Sequence, residues 1–277
     1  MNSLKLRNLI RLYLPLIILF ICFLFGTIIS LNSNYGYDYD IYRILKTFIN
    51  IKINGVYIPS RGSGGPIGEL LIGFFAWIGG SKLSNLFSFL MFIGSILIYP
   101  FVFEHKPSFN KYLLFICLCI TSKVLFFDNT SSMDYSVALF FLIFGCLLKA
   151  RFVNLPFASI FIALSIGTRI SFVIFLIPVS FFLSDSFKND YSQNIHQKIS
   201  FLFSSFLASS FIYFPIWFIS NLELDFIVTQ GPENGIINFL ARAIYKSLYT
   251  IGFAQISILF LFSLKFITKN NLNYQFF

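Results

Sequence analysis

The chain has 277 residues, of which 57% are apolar and only 11% charged, and its mean hydropathy is +0.81. Soluble domains carry about a quarter charged residues, and no ordinary surface hides 40 phenylalanines. A cytosolic globular enzyme, a disordered chain and, despite the net charge of +9, a nucleic-acid binder are excluded. The expected medium is a lipid bilayer.

In chain order, the first apolar run is Leu12–Leu31, preceded by Lys5, Arg7 and Arg11. A cleavable signal peptide has an apolar core of only about 7–15 residues and a small-residue cleavage site. This run is longer and ends in Leu31-Asn32-Ser33, so it reads as an uncleaved anchor with a cytoplasmic N-terminus. Asn32–Pro66 is polar and rich in Tyr and Gly. Within it Ile41, Leu45, Phe48 and Ile49 recur at helical spacing opposite Arg43, Lys46 and Asn50, the pattern of a short amphipathic helix on the membrane surface.

Ile67–Ile78 is apolar but reaches only about 18 Å as a helix, short of a hydrocarbon core of about 30 Å. It is expected to be re-entrant or interfacial, returning to the side from which it started. Further spans are expected over Ser84–Phe103, Tyr112–Phe127, Tyr135–Leu148, a hairpin of two short helices across Pro156–Leu183, Ile199–Ser220 and Ser247–Phe266. The expected fold is an all-α, polytopic membrane protein with about eight transmembrane helices and interfacial helices in the first outer loop.

Cations and acids sort onto opposite sides of this topology. Cytoplasmic segments receive Lys5, Arg7, Arg11, Lys106, Lys111, Lys149, Arg151, Lys188, Lys198, Lys265 and Lys269, against Glu104, Asp185 and Asp190. Asp38, Asp40, Glu69, Asp128, Asp134, Glu223, Asp225 and Glu233 fall outside. Such a Lys/Arg bias is expected of cytoplasmic loops, and it places the protein in a plasma membrane, a bacterial inner membrane being the expected setting.

The outer face therefore collects the residues able to do chemistry. Asp38 and Asp40 follow the first span, Asp128 and Asp134 bracket a second outer loop, and Arg61 precedes a Gly62-Ser63-Gly64-Gly65-Pro66 hinge. That hinge lacks the Lys-Ser/Thr of a nucleotide P-loop. Lys123 and Arg169 stand inside apolar stretches, where a cation costs about 2.5–3.5 kcal/mol on insertion scales and faces a polar cavity or an anion. Snorkelling to the interface is the competing reading of Lys123, and the tip of a tight hairpin that of Arg169. Asp38 and Asp40 alone read as a solvated pair, and Glu69 as an acid at the positive end of a helix dipole. Convergence gives them weight: a carboxylate serves as general base, and an arginine fork stabilises phosphate as charge develops on it.

Cys22, Cys117, Cys119 and Cys146 sit in apolar runs as small hydrophobes, and His105 and His196 lie in separate connectors. Neither type suggests a disulfide framework or a metal cluster. Asp38 and Asp40 are the two residues placed to ligate a divalent cation; whether one is required stays open. Trp77 and Trp217 fit an interfacial aromatic belt, and Asn129-Thr130-Ser131 matches a glycosylation sequon.

Taken together, the order of these motifs resembles the GT-C superfamily of membrane glycosyltransferases, which includes the protein O-mannosyltransferases and the aminoarabinose transferase of lipid A. The resemblance covers residues 1–185, including the outer loop 32–83, within a single membrane domain that continues as C-terminal helices over 186–277. It rests on Asp38-Tyr39-Asp40 with Tyr42-Arg43, on Tyr57-Ile58-Pro59-Ser60-Arg61, and on Gly65-Pro66-Ile67-Gly68-Glu69-Leu70-Leu71. Gly79-Gly80-Ser81-Lys82-Leu83-Ser84-Asn85, Asp134 and the stretch from Ala158 to Gly167-Thr168-Arg169 add to it.

What the resemblance implies is transfer of a sugar, with inversion, from a polyprenyl-phosphate carrier to an acceptor hydroxyl of a lipid, glycan or protein on the outer face. Asp38 would be the general base, with Asp40 its rival. Arg61 and Arg169, with Lys123, would meet the donor phosphate. Asp134, with Asp128, Tyr42 and Glu69, would position donor or acceptor. A lipid phosphate leaves readily, so no second carboxylic acid is needed, unlike glycoside hydrolysis. Many members continue through more spans into an outer soluble domain, so a short or truncated member is expected. The competing functions are a transporter or lipid-carrier flippase and a catalytically silent assembly protein.

Overall fold

The structure is a computed structural model and describes residues 3–35, 39–60, 64–103, 112, 115–116, 119–120, 122–151, 155–181, 183 and 195–219. Among these residues every regular element is helical. The helices are α1 (Ser3–Asn32), α2 (Tyr39–Asn54), α3 (Pro66–Ile98), α4 (Pro100–Phe103), α5 (Lys123–Asp128), α6 (Asp134–Arg151), α7 (Leu155–Thr168), a 3-10 helix (Ile170–Phe175), α8 (Leu176–Phe181) and α9 (Ile195–Ile219). Among the described residues, two stretches are long and apolar enough to cross a membrane, Pro66–Phe103 and Ile195–Pro215. Phe20, Phe25 and Ile28 on α1 and Phe203, Phe211 and Phe218 on α9 are all more than half exposed, as apolar solvent would allow.

α3 is broken. Gly79 leaves helical geometry and Gly80 takes a positive φ of 63°, which only glycine adopts at little cost. Phe75 and Phe87 then stack with ring centroids 4.2 Å apart. In a continuous helix those positions lie about 18 Å apart, so the chain folds back at Gly79–Gly80. The expected short helix over Ile67–Ile78 is therefore present, and it returns beside the helix that follows.

α2 packs on this first half of α3, with Phe48 against Gly73. Its buried stripe is Ile41, Ile44 and Thr47, while Ile49 is 51% and Ile53 74% exposed. The apolar face expected from the sequence is thus rotated: Ile49 points outward because the stripe seats against protein. Trp77, over half exposed, lies under the Lys52 ammonium at 3.9 Å.

α6 and α7 pack along each other, and Ser165 Oγ donates to the Ala138 carbonyl at 2.7 Å between them. α9 covers α7 through a Ser159–Ser204 hydroxyl pair at 2.6 Å and a Tyr213 hydroxyl on the Ile166 carbonyl at 2.8 Å. The expected hairpin across Pro156–Leu183 is α7, the 3-10 helix and α8, broken at Arg169, whose φ of −146° is extended. α1 is held by Asn85, whose Nδ2 donates to the carbonyls of Ser30, Ser33 and Asn34 at 3.0–3.2 Å. Ser30 is one of the last four residues of α1, whose carbonyls have no partner within the helix, and Ser33 and Asn34 directly follow it.

Lys149, expected in a solvated connector, lies instead in the last turn of α6 and is 2% exposed. It donates to the Val179 carbonyl and, at 2.8 Å, to the Ser180 carbonyl, with the Phe201 ring 4.8 Å away. The two carbonyls at the end of α8 supply what water would have. The expected span over Ser247–Phe266, and residues 113–114, 117–118 and 121 of that over Tyr112–Phe127, lie outside the described residues.

Candidate functional site

Asp134 opens α6, where a carboxylate meets the positive end of the helix dipole. It is 4% exposed, and its Oδ1 lies 3.4 Å from Nη1 of Arg169. Arg169 reaches it because α7 stops one residue earlier, leaving Arg169 extended between two helical segments. Its guanidinium also lies on the Tyr135 ring, 3.3 Å from the centroid. Two of the residues expected at the site, 35 positions apart in sequence, are thus in contact.

Glu69 lies in the first turn of α3, as expected, but its carboxylate does not serve as a helix cap. It is 1% exposed and turned inward. The Tyr57 hydroxyl donates to Oε2, and both the hydroxyl and, at 3.0 Å, the backbone N–H of Ser60 donate to Oε1. Burial first, and then the adjacent carboxylate, push the Tyr57 phenol well above its usual range. Tyr57 is therefore a permanent donor to Glu69.

The two buried acids are brought close by a near-contact of backbones. A methyl group placed on Gly68 would meet Thr168 Cγ2 at 2.9 Å and Asp134 Cβ at 3.3 Å, and one on Gly65 would strike the Thr168 carbonyl oxygen at 2.5 Å. On the other flank Thr47 donates to the Ile58 carbonyl at 2.7 Å, tying α2 to the segment that carries Tyr57 and Ser60. A continuous set of contacts thus runs from α2 through residues 57–60 and the start of α3 to Asp134 and Arg169.

The other expected site residues divide. Asp40 heads α2, about a third exposed, with Arg43 at 4.0 Å. Tyr42 is half exposed and edge-on to Tyr35 at 6.2 Å. Asp128 ends α5 on an exposed turn whose carbonyl accepts from Ser131 Oγ at 2.7 Å. Asn129 is only 8% exposed, which argues against its carrying a glycan. Asp38, Arg61 and the side chain of Lys123 lie outside the described residues.

Tyr57, Ser60, Tyr135 and Thr168 were not among the site residues expected from the sequence. The signal was available for the first two: an acid in an apolar helix needs donors, and Tyr57 and Ser60 are the polar residues just upstream. Among the described residues no group of three or more His, Cys, Asp or Glu side chains gathers to hold a metal ion. No family model, curated protein or solved structure matches the chain.

Proposed function

We propose that the chain is a multi-pass membrane glycosyltransferase that takes a sugar from a polyprenyl-phosphate donor and passes it to an acceptor hydroxyl. The observation that supports this reading best is the junction at which Asp134, Arg169 and the Glu69–Tyr57–Ser60 group meet beside α2. A transfer site needs a cation to receive phosphate charge and a carboxylate able to take a proton. Arg169 is the phosphate contact, released in part from Asp134 when a second anion arrives. Glu69 is fully engaged by three donors and Asp134 by a cation, so neither is the base. Asp40, partly exposed on α2, and Asp38 just before it are the candidates. The topology proposed is eight crossings with a cytoplasmic N-terminus and this junction at the outer face of a plasma membrane, with Arg61 and Lys123 as further phosphate contacts.

Singly replacing Asp38 and Asp40 by Asn, in membranes supplied with labelled polyprenyl-phosphate sugars, tests the assignment. One variant loses transfer by about 10²–10⁴-fold, the usual contribution of a general base. Full transfer in both sinks it. A flippase is the second reading, favoured by the helix interrupted at Arg169, because discontinuous helices bearing charge line transport sites. Carrier translocation in vesicles with no sugar transfer decides for it.

A further inference from the structure

At the far end of α6 from Asp134, an apolar cavity of about 410 Å³ lies between the end of α3, α4, α6 and the 3-10/α8 segment, with Val102, Leu142, Cys146, Phe175 and Val179 in its walls. That volume is in the range of about 300–1,000 Å³ found for ligand pockets. Beside these walls, backbone carbonyls hold cations. Val179 and Ser180 take Lys149, Phe181 takes Lys198 at 3.4 Å, and across the cavity Phe101 takes Nε and Nη2 of Arg151 at 3.1 and 3.0 Å.

Three cations of the described residues stand at this end of the helices. Lys149 and Arg151 lie in the last turn of α6 and Lys198 in the first turn of α9. An apolar slot that ends at a positive rim, in a chain built for lipid, matches one molecule with an apolar tail and an anionic head. Juxtamembrane cations attract anionic lipid by about 1 kcal/mol each.

We propose that this cavity binds one acyl chain of an anionic phospholipid from the leaflet at the Lys149 end, with the phosphate near Arg151 and Lys198. The site is separate from the Asp134–Arg169 junction and does not depend on sugar transfer.

The test is thermal unfolding of the purified full chain in detergent, titrated with phosphatidylglycerol or phosphatidylcholine. A ligand that binds only the folded state raises the midpoint as its concentration passes its dissociation constant. Phosphatidylglycerol is expected to raise the midpoint by several degrees, and phosphatidylcholine much less. Cys146→Phe, which fills the cavity, weakens the effect roughly tenfold or more, and Lys198→Gln reduces the preference for the anionic lipid. Equal response to both lipids, or an undiminished response in both variants, overturns the proposal. Should Cys146→Phe fail to fold, photoreactive phosphatidylglycerol labels wild-type residues 139–146 and 175–179 if the site exists. Labelling spread over the exposed faces of α1 and α9, or displacement by polyprenyl phosphate but not by phosphatidylglycerol, overturns it equally.

Discussion

At one end of α6, Arg169 is held by a carboxylate and a tyrosine ring; at the other, Lys149 is held by two backbone carbonyls and a phenylalanine ring. Lys149 is buried and the Arg169 side chain is 15% exposed, and roughly 22 Å of helix separates Asp134 from Lys149. Their partners differ in kind. A carboxylate on a side chain can share its cation with an incoming anion by a small rotation. Carbonyls at a helix end cannot move without unwinding the turn, so Lys149 works as a cap that fastens α6 to α8. Exchangeable charge marks the end suited to chemistry, and fixed charge marks the end suited to anchoring.

Unfolding in detergent breaks or sharpens this comparison. Arg169→Ala should cost about 3–5 kcal/mol, because Asp134 stays buried without its cation. The Asp134→Leu/Arg169→Met pair should recover most of that, since apolar replacement of a buried pair is often neutral. A single-variant loss below about 1 kcal/mol would mean that the pair is screened as a surface bridge is. Lys149→Met should cost about 1–3 kcal/mol by leaving the Val179 and Ser180 carbonyls without a donor. Unlike Arg169, no change on α8 that spares the backbone should rescue it. Gly68→Ala should cost about 1–3 kcal/mol through contact with Thr168 and Asp134, and should weaken the junction while leaving the Lys149 end intact.

The smallest effect is a pH dependence. Tyr57 sits above its ordinary value of 10.0 because burial, and next Glu69, disfavour its phenolate. The unfolded chain gives up that proton first, so the stability Tyr57 contributes is complete below pH 10.0 and declines as pH rises beyond it. Tyr57→Phe should flatten the decline in an alkaline unfolding series; an equal slope in both proteins would remove Tyr57 as its cause.

Much of this was legible in the sequence where length and polarity speak directly. The twelve residues of Ile67–Ile78 are too few to span, and Gly79-Gly80 marks the turn. A lone arginine in an apolar run marks the break at Arg169. Arg169 was expected at the site because it stood out of place in an apolar stretch, and Asp134 because it lay on the second outer loop before a span. Their direct pairing, and the inward turn of Glu69 to Tyr57 and Ser60, were not expected, because such contacts depend on how segments far apart in sequence are docked. The rotated stripe of α2 and the burial of Lys149 have the same origin. Periodicity finds a face, and hydropathy finds a charge, but the neighbour that covers either is a matter of tertiary packing.

The double glycine of α3 has a consequence for how the protein is made. As one continuous rod its 33 residues would measure about 50 Å, some 20 Å more than the hydrocarbon thickness. The insertion machinery would meet a single over-long hydrophobic segment and thread it through. Folded back, the same residues count as an even number of passes or none for the first half, plus one for the second. Either way the number of passes is odd, so Gly80→Val, by penalising the positive φ, leaves parity alone and acts on length: it favours the over-long rod and would pull the first half of α3 away from Phe87 and α2.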